Sequence, residues 1–454
     1  MKPTLRDYQL RDAKKLMNLN GAACFNEQRT GKTLIALKLA ESSEKILIVT
    51  TASTIPQWQY EFERYTNKPC LTCIGNSTKK RRLIKEWKHG LVISLDSLKE
   101  TSRTDGYISE ILNQNPDMVI LDEAHRIKNP KSQNARAMFK LTKIKKRLAL
   151  TGTPAPGKPA DIYPILKFID PDTWKGFWKF LEEYFIIKDE IIYTKGTRRT
   201  FKTWDEFQPN KEHKLQEYLN KISTNTKRKN VMQWIPDKFY VNIPLEPNAK
   251  QKKYLRELNE AYTTEQLVAQ GTLDRLVKYR QICLDPDLLH LEGRSPKTDW
   301  LIQYIQDYPD EQIIIFSKFT SYLLKLYKAL DKYCKEGLII GKTPIPQRQK
   351  IVQNFQNNCC GVLLINVDAG KEGLTLDNAD TTIFTDRYPP IGTIQQAEDR
   401  FIASVKEMTH KGHKIINLYM KNTFDEQLNQ LLDKRAEETD VINSYKKYIE
   451  RRTK

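Results

Sequence analysis

A chain of 454 residues is too long for one hydrophobic core and is expected to form more than one domain. Its 39% hydrophobic and 29% charged residues, with a mean hydropathy of −0.62 and no apolar run approaching ~18 residues, leave room for real cores and exclude a membrane span. Net charge is +19, from 75 Lys and Arg against 56 Asp and Glu, the footprint of a protein that binds polyanions. Seven cysteines without a disulfide-like rhythm fit a reducing compartment, and with no basic-then-apolar leader the cytoplasm is the expected location.

In chain order, the first apolar run is "AACF" (22–25), followed by the loop "NEQRTGKT" (26–33) and the helical pattern "TLIALKLAE" (33–41). The phosphate-binding pattern G-x-x-x-x-G-K-[ST] asks for glycine at position 26, where this chain has Asn26. The stretch from Gln28 through Thr30 to Thr33 lies at a strand-to-helix turn, where free amides and the helix dipole favour phosphate. Lys32 reaches the outer phosphates, the Thr33 hydroxyl ligates Mg²⁺, and Gly31 lets the backbone come close. Arg29 lacks a glycine's freedom, which matters only if its φ is positive.

Further strands are read at "KILIVTT" (45–51), "LVISL" (91–95), "DMVILDEAH" (117–125) and "RLALTGTP" (147–154). Cys70 and Cys73 form a C-x-x-C with no second half, too few ligands for a structural zinc site. "LDEAH" puts two carboxylates at a strand end: Asp122 for the Mg²⁺ shell, Glu123 to take a proton from an attacking water.

The middle of the chain is different. Trp174, Phe177, Trp178, Phe180, Tyr184, Phe185 and Trp204 have the spacing of core contacts, and "KGTRRTFK" (195–202) reads as a solvated hairpin or loop. Prolines around 234–251 mark an interdomain passage. Strands then return at "QIIIFSK" (312–318), "GLIIG" (337–341), "GVLLINVDAG" (361–370), "TTIFTD" (381–386) and "KIINLYM" (414–420), alternating with amphipathic stretches at 319–335, 346–358 and 393–405. His410 and His413 form an H-x-x-H that, like the cysteine pair, lacks partners for a metal. Strands alternating with helices imply an α/β fold with a parallel sheet covered on both faces, and the pattern occurs twice.

These motifs, in this order, resemble a SWI/SNF-type ATPase of the DNA-translocating branch of helicase superfamily two. The resemblance rests on "LRDYQL" (5–10), "NEQRTGKT", "ILIVTTASTIPQW" (46–58), "DEAH" and "LALTGTP" (148–154). It continues through "TKRKNVMQWIPDK" (226–238), "YRQICLDP" (279–286), "SPKTDWL" (295–301) and "IIIFSKF" (313–319). It closes with "GKTPIPQRQKIVQNF" (341–355), "LLINVDAGKEGLTLDNAD" (363–380) and "QQAEDR" (395–400). The resemblance implies two tandem RecA-like motor domains, 1–165 and 295–454, around a helical, aromatic-rich bridging region, 166–294. It implies ATP between the motors, held by Arg6, Gln9, Gln28, Thr30, Gly31, Lys32 and Thr33 on the first and by Gly373 and Arg400 on the second. Lys32, Glu123 and Arg400 are then the catalytic residues, and Thr33 and Asp122 the Mg²⁺ ligands. DNA is expected near Thr51 and Ser53 on the first motor and near Lys318 and Thr375 on the second.

In the second half, three motifs depart from the family. Ala403 stands where the arginine finger is usual, "AGKEGLTL" replaces AGGxGLNL, and "RYPP" follows "TD" in place of the expected Trp-Asn-Pro. The implied function is a duplex DNA translocase, driven by ATP and Mg²⁺, that remodels protein–DNA complexes or branched DNA. Alternatives are a strand-separating helicase and a scaffold that clamps DNA in response to ATP without efficient turnover. The chain is similar to compact stand-alone members from bacteria and phages, for which a monomer with no membrane partner is expected.

Overall fold

The computed structural model describes residues 2–100, 106–156, 158–194, 197–232, 238–260, 268–369, 374, 376, 378–388 and 413–433. The chain packs as two compact units, Met1–Gln233 and Trp234–Lys454.

In the first unit, helix α1 (Asp7–Leu16) precedes β1 (Gly21–Cys24), α2 (Lys32–Ala40), β2 (Ile46–Thr50) and α3 (Ile55–Thr66). Strands β3 (Cys70–Thr72), β4 (Gly90–Ser94), β5 (Met118–Leu121) and β6 (Lys146–Leu150) follow. With β9 (Ser223–Thr224) they form a seven-stranded, wholly parallel sheet in the order β3-β4-β2-β5-β6-β1-β9. A parallel sheet is covered on both faces, which is why its strands read as continuous apolar runs. The side chains nevertheless sort by strand alternation: Leu47 and Val49 enter one core cluster, Ile46 and Ile48 the other.

The aromatic middle of the chain folds against this unit. The helices Phe177–Tyr184 and Lys211–Ile222 flank an antiparallel hairpin of β7 (Phe185–Thr194) and β8 (Thr197–Phe207). Its base is fixed by rings: Phe185 stacks on Phe207 at 4.6 Å, Trp174 meets Phe180 edge-on at 5.4 Å, and Phe177 meets Trp204 at 6.0 Å. The aromatics are core contacts as their spacing suggests, except Trp178, which is exposed.

In the second unit, β10 (Lys238–Leu245), β11 (Ile313–Ser317), β12 (Leu338–Ile339), β13 (Val362–Asn366), β14 (Thr381–Phe384) and β15 (His413–Met420) form a six-stranded parallel sheet in the order β10-β15-β14-β11-β13-β12. Each apolar run singled out in the sequence of both halves is a strand. The stretch read as an interdomain passage, 234–251, begins where the two units divide, and its residues 238–245 pair in full with β15. Its Pro244 removes a backbone donor, which an edge strand tolerates. Arg280 from "YRQICLDP" bonds the buried Asp386 at 3.0 Å, and the fully buried Lys297 from "SPKTDWL" bonds Asp425 at 2.7 Å and the Thr385 carbonyl at 2.8 Å. The expected amphipathic stretch 393–405 lies outside the described residues.

Candidate nucleotide site

Strands β2, β5, β6 and β1 are consecutive neighbours and parallel, so their carboxyl ends share one edge of the first sheet. The segments that follow them carry Thr50–Ser53, Asp122–Glu123, Thr151–Thr153 and the loop 26–31. Sheet order thus brings together residues far apart in sequence, at the edge where open α/β folds bind ligands.

The loop turns on two left-handed residues. Gly31 has φ +77°, and a Cβ there would stand 2.2 Å from the Gln9 amide nitrogen, so glycine is required twice over. Arg29 has φ +66°. This position therefore does want glycine, and the arginine holds a backbone conformation that costs an L-residue about 1–2 kcal/mol. Lys32 opens α2, and its Nζ donates to the carbonyls of Asn26 at 3.0 Å and Glu27 at 3.2 Å, spanning the mouth of the loop.

Asn26, the departure from the phosphate-loop pattern, is a structural tie. It is wholly buried; its Nδ2 donates to Asp12 Oδ2 at 2.7 Å, and its Oδ1 accepts from the Thr226 amide at 2.9 Å. Thr226 also donates its hydroxyl to Asp12 at 2.6 Å, and the Arg228 amide donates to Glu27 Oε2 at 2.8 Å. From the other side, Tyr8 Oη and Gln9 Nε2 both donate to the Thr30 carbonyl, at 2.9 and 3.0 Å. The Gln9 side-chain oxygen accepts from the Arg6 amide at 2.8 Å. Arg6 and Gln9 are thus brought to the loop, with Gln9 buried against it. Gln28 packs beside the segment after β6, where a Cβ on Gly152 would lie 3.4 Å from its Cγ. Thr33, half-buried, is in the first turn of α2.

Asp122 is enclosed by neutral donors. Its Oδ2 accepts from the Thr50 hydroxyl at 2.9 Å and the Trp58 indole at 2.8 Å, and its Oδ1 from the Glu123 amide at 2.9 Å. Burial, reinforced by the neighbouring Glu123 charge, raises its pKa to about 6. A carboxylate enclosed beside a second acid suits a divalent cation, whose charge reverses that displacement. Asp122 and the Thr33 hydroxyl are hard oxygen donors, the kind Mg²⁺ takes in small number while phosphates and water fill its remaining positions. The residues fit the ion. Glu123, at φ +49°, has its carboxylate 3.3 Å from His125 Nδ1, which stands 3.1 Å from the Thr151 hydroxyl.

The residues expected at DNA differ in placement. Thr51 and Ser53 follow β2, with their hydroxyls 3.0 Å apart; Thr51 is buried and Ser53 more accessible. Lys318 follows β11, and its Nζ pairs with Asp368 at 2.5 Å. Gly373, Thr375, Arg400 and Ala403 lie outside the described residues. Cys70 and Cys73 are buried, with burial pushing their thiols up to about 12 and about 11, so neither is a ready metal ligand. Among the described residues no three His, Cys, Asp or Glu side chains assemble as a metal cage, and no helix is long and apolar enough to cross a membrane. Sequence reasoning missed Tyr8, Asp12, Thr50, Thr54, Trp58, Thr151 and Thr226 as members or supports of this site. Trp58 and Thr226 lay within quoted motifs, but no local pattern tells a tryptophan that holds a carboxylate from one that fills a core.

Comparison with known proteins adds the family. The SNF2-related domain matches residues 15–288, and the helicase conserved C-terminal domain matches residues 296–404. An uncharacterised ATP-dependent helicase of Mycoplasma pneumoniae is 25% identical over 467 residues, covering 97% of this chain and 42% of that protein. The DNA annealing helicase and endonuclease ZRANB3 of Bos taurus is 23% identical over 396 residues, covering 83% of this chain and 35% of that protein. The chain thus spans less than half the length of these curated relatives. A solved structure, the Sulfolobus solfataricus SWI2/SNF2 ATPase core in complex with dsDNA, aligns over 95% of this chain and 91% of its own with 21% identity and a TM-score of 0.43. With the SNF2-related domain matching 15–288 and the helicase C-terminal domain following it, the chain belongs to the SNF2-related family of ATPase cores within helicase superfamily two.

Proposed function

We propose that this chain hydrolyses ATP in response to DNA, tracks along duplex DNA, and remodels protein–DNA complexes or branched DNA. The observation that carries the reading is the meeting of the Lys32 loop, the Asp122–Glu123 pair and Thr151 along one sheet edge, in a chain of net charge +19. In this reading the amides of Gln28 to Thr33 and the Lys32 ammonium cradle the phosphates, and Lys32 exchanges its carbonyl partners for phosphate oxygens. Mg²⁺, held by Asp122 and Thr33, neutralises phosphate charge when bound. Glu123 takes the proton of the attacking water, with His125 and Thr151 fixing its orientation. Arg6 and Gln9 sit on the adenine side; Gly373 and Arg400 are assigned to ATP, and Thr51, Ser53, Lys318 and Thr375 to DNA, on resemblance. Residues 1–165 and 295–454 act as motor domains and 166–294 as the bridging region. The protein works as a cytoplasmic monomer.

One observation supports the strand-separating alternative. The β7–β8 hairpin, with strands of 10 and 11 residues, extends for roughly 30 Å at ~3.3 Å per residue, and its sequence at the turn is basic.

ATPase activity is compared without nucleic acid and with single-stranded DNA, blunt duplex, forked DNA and RNA, across a salt series. Duplex or branched DNA is expected to stimulate strongly, with stimulation falling as salt rises because phosphate contacts release counterions. Equal turnover with and without DNA at every salt concentration rules the reading out. Efficient separation of a long blunt duplex selects the helicase alternative, and ATP-dependent DNA binding without turnover the scaffold.

A further inference from the structure

We propose that the hydroxyls of Ser53, Thr51, Thr54 and Thr50 form a single file that transmits the arrival of a DNA phosphate beyond β2 to the Asp122 carboxylate. This rests on the proposed roles of Asp122 at Mg²⁺ and of residues 51 and 53 at DNA.

Each link is a hydrogen-bond distance: Ser53 to Thr51 3.0 Å, Thr51 to Thr54 2.9 Å, Thr54 to Thr50 2.6 Å, and Thr50 to Asp122 Oδ2 2.9 Å. A hydroxyl carries one proton, which gives the file a direction. The ionised carboxylate only accepts, so the Thr50 proton points to Asp122. The short contact between Thr50 and Thr54 must then hold the proton of Thr54. By the same step Thr51 donates to Thr54, and Ser53 to Thr51. Four donors point one way, and each bond polarises the next.

Thr54 supplies the alternative arrangement. Its hydroxyl also lies 3.2 Å from the Thr51 carbonyl oxygen, so its single proton has two acceptors. When a phosphate oxygen accepts the proton of Ser53, Thr51 loses its incoming bond and donates less strongly to Thr54. Thr54 can then turn to the carbonyl, and Thr50 is left without its donor. Asp122 retains the Trp58 indole on the same oxygen and is freed on the Thr50 side to reorient. Thr54 immediately precedes α3, the helix that carries Trp58, so the file and the indole share one support. Thr50 and Thr51 are buried, which keeps the inner links from water, while Thr54 and Ser53 are half-buried. Thr54 is therefore a positioning residue, with no contact to substrate of its own.

The test uses the full chain and a short blunt DNA duplex. Without nucleotide or metal, the indole ¹H–¹⁵N resonance of Trp58, assigned by its loss in Trp58→Phe, is followed as DNA is added; DNA affinity is read by fluorescence anisotropy. DNA is expected to shift this resonance in the wild type and in Thr54→Ser, which keeps the hydroxyl. It leaves the resonance unmoved in Thr54→Val, while affinity stays the same. In turnover, Thr54→Val loses about fivefold of the DNA stimulation, measured as the ratio of turnover with and without DNA, the equivalent of one neutral hydrogen bond. Thr54→Ala serves as a second hydroxyl deletion if the valine variant does not fold. A Trp58 shift and stimulation as in the wild type, in a folded variant without the hydroxyl, overturn the file. Failure of the wild type to bind DNA overturns the proposed function instead.

Discussion

Asn26→Gly would bring the loop into agreement with the phosphate-loop pattern, and it is expected to harm the protein. The substitution removes two buried hydrogen bonds, one to the Asp12 carboxylate at 2.7 Å and one from the Thr226 amide at 2.9 Å. A bond to a charged group contributes about 1.5–3 kcal/mol and a neutral one about 1 kcal/mol, so the loss is about 3 kcal/mol. Glycine adds about 0.5–1 kcal/mol through the greater freedom of the unfolded chain. At about 2–4 °C per kcal/mol for a unit of this size, the Tm of the first unit should fall by about 10 °C. Arg29→Gly, the other change toward the pattern, is compared with Arg29→Ala, which removes the same side chain. Relief of φ +66° outweighs the glycine entropy, so the glycine variant should be the more stable of the two by about 0.5–1 kcal/mol. Both are measured by thermal and urea unfolding under circular dichroism without nucleotide, so that binding does not mask the difference. An Asn26→Gly protein as stable as the wild type, or an Arg29→Gly protein less stable than Arg29→Ala, refutes the reasoning.

Glu123→Gln should bind ATP with nearly unchanged affinity but stop hydrolysis, as the water loses its base; near wild-type turnover in a phosphate-release assay would show that another group takes the proton. In the second unit, His413 is buried, with Nδ1 2.9 Å from the Ala379 carbonyl and Nε2 3.1 Å from the Thr382 hydroxyl, and burial lowers its pKa to about 4. Its folded value lies below the unfolded one near 6.5, so its contribution is fully present above pH ~6.5 and is lost as pH falls toward ~4, about 3 kcal/mol in all. His413→Gln should flatten stability against pH in that window, as urea midpoints at several pH values would show; an unchanged slope would contradict the assignment.

The strands were legible because a sheet buried on both faces writes its strands as unbroken apolar runs, from Ile46–Thr50 to His413–Met420. Lys238–Leu245 was not, because an edge strand alternates half-buried and exposed residues and tolerates Pro244. In the site, Lys32 and Asp122 could be read because their motifs sit at strand ends. Asp12, Trp58 and Thr226 could not, because their partners are set by tertiary contact, with Thr226 bonding a residue 200 positions away. Arg29 is a different case. Its sequence predicts a residue that avoids positive φ, and the fold holds it there.

The tie between Thr226 and Asn26 also imposes an order on assembly. During synthesis the loop at 26–33 emerges first, followed by the strands that carry Asp122 and Thr151. Even with these in hand, the loop lacks β9, the Thr226 amide that bonds Asn26, and the Arg228 amide that bonds Glu27. The last pieces that secure the beginning of the loop lie beyond the aromatic hairpin, some two hundred residues downstream. A nascent chain halted before them holds the loop residues without the fasteners that shape them. The smallest fragment with a complete loop therefore extends through Arg228, so the loop is fastened only after the hairpin has been made.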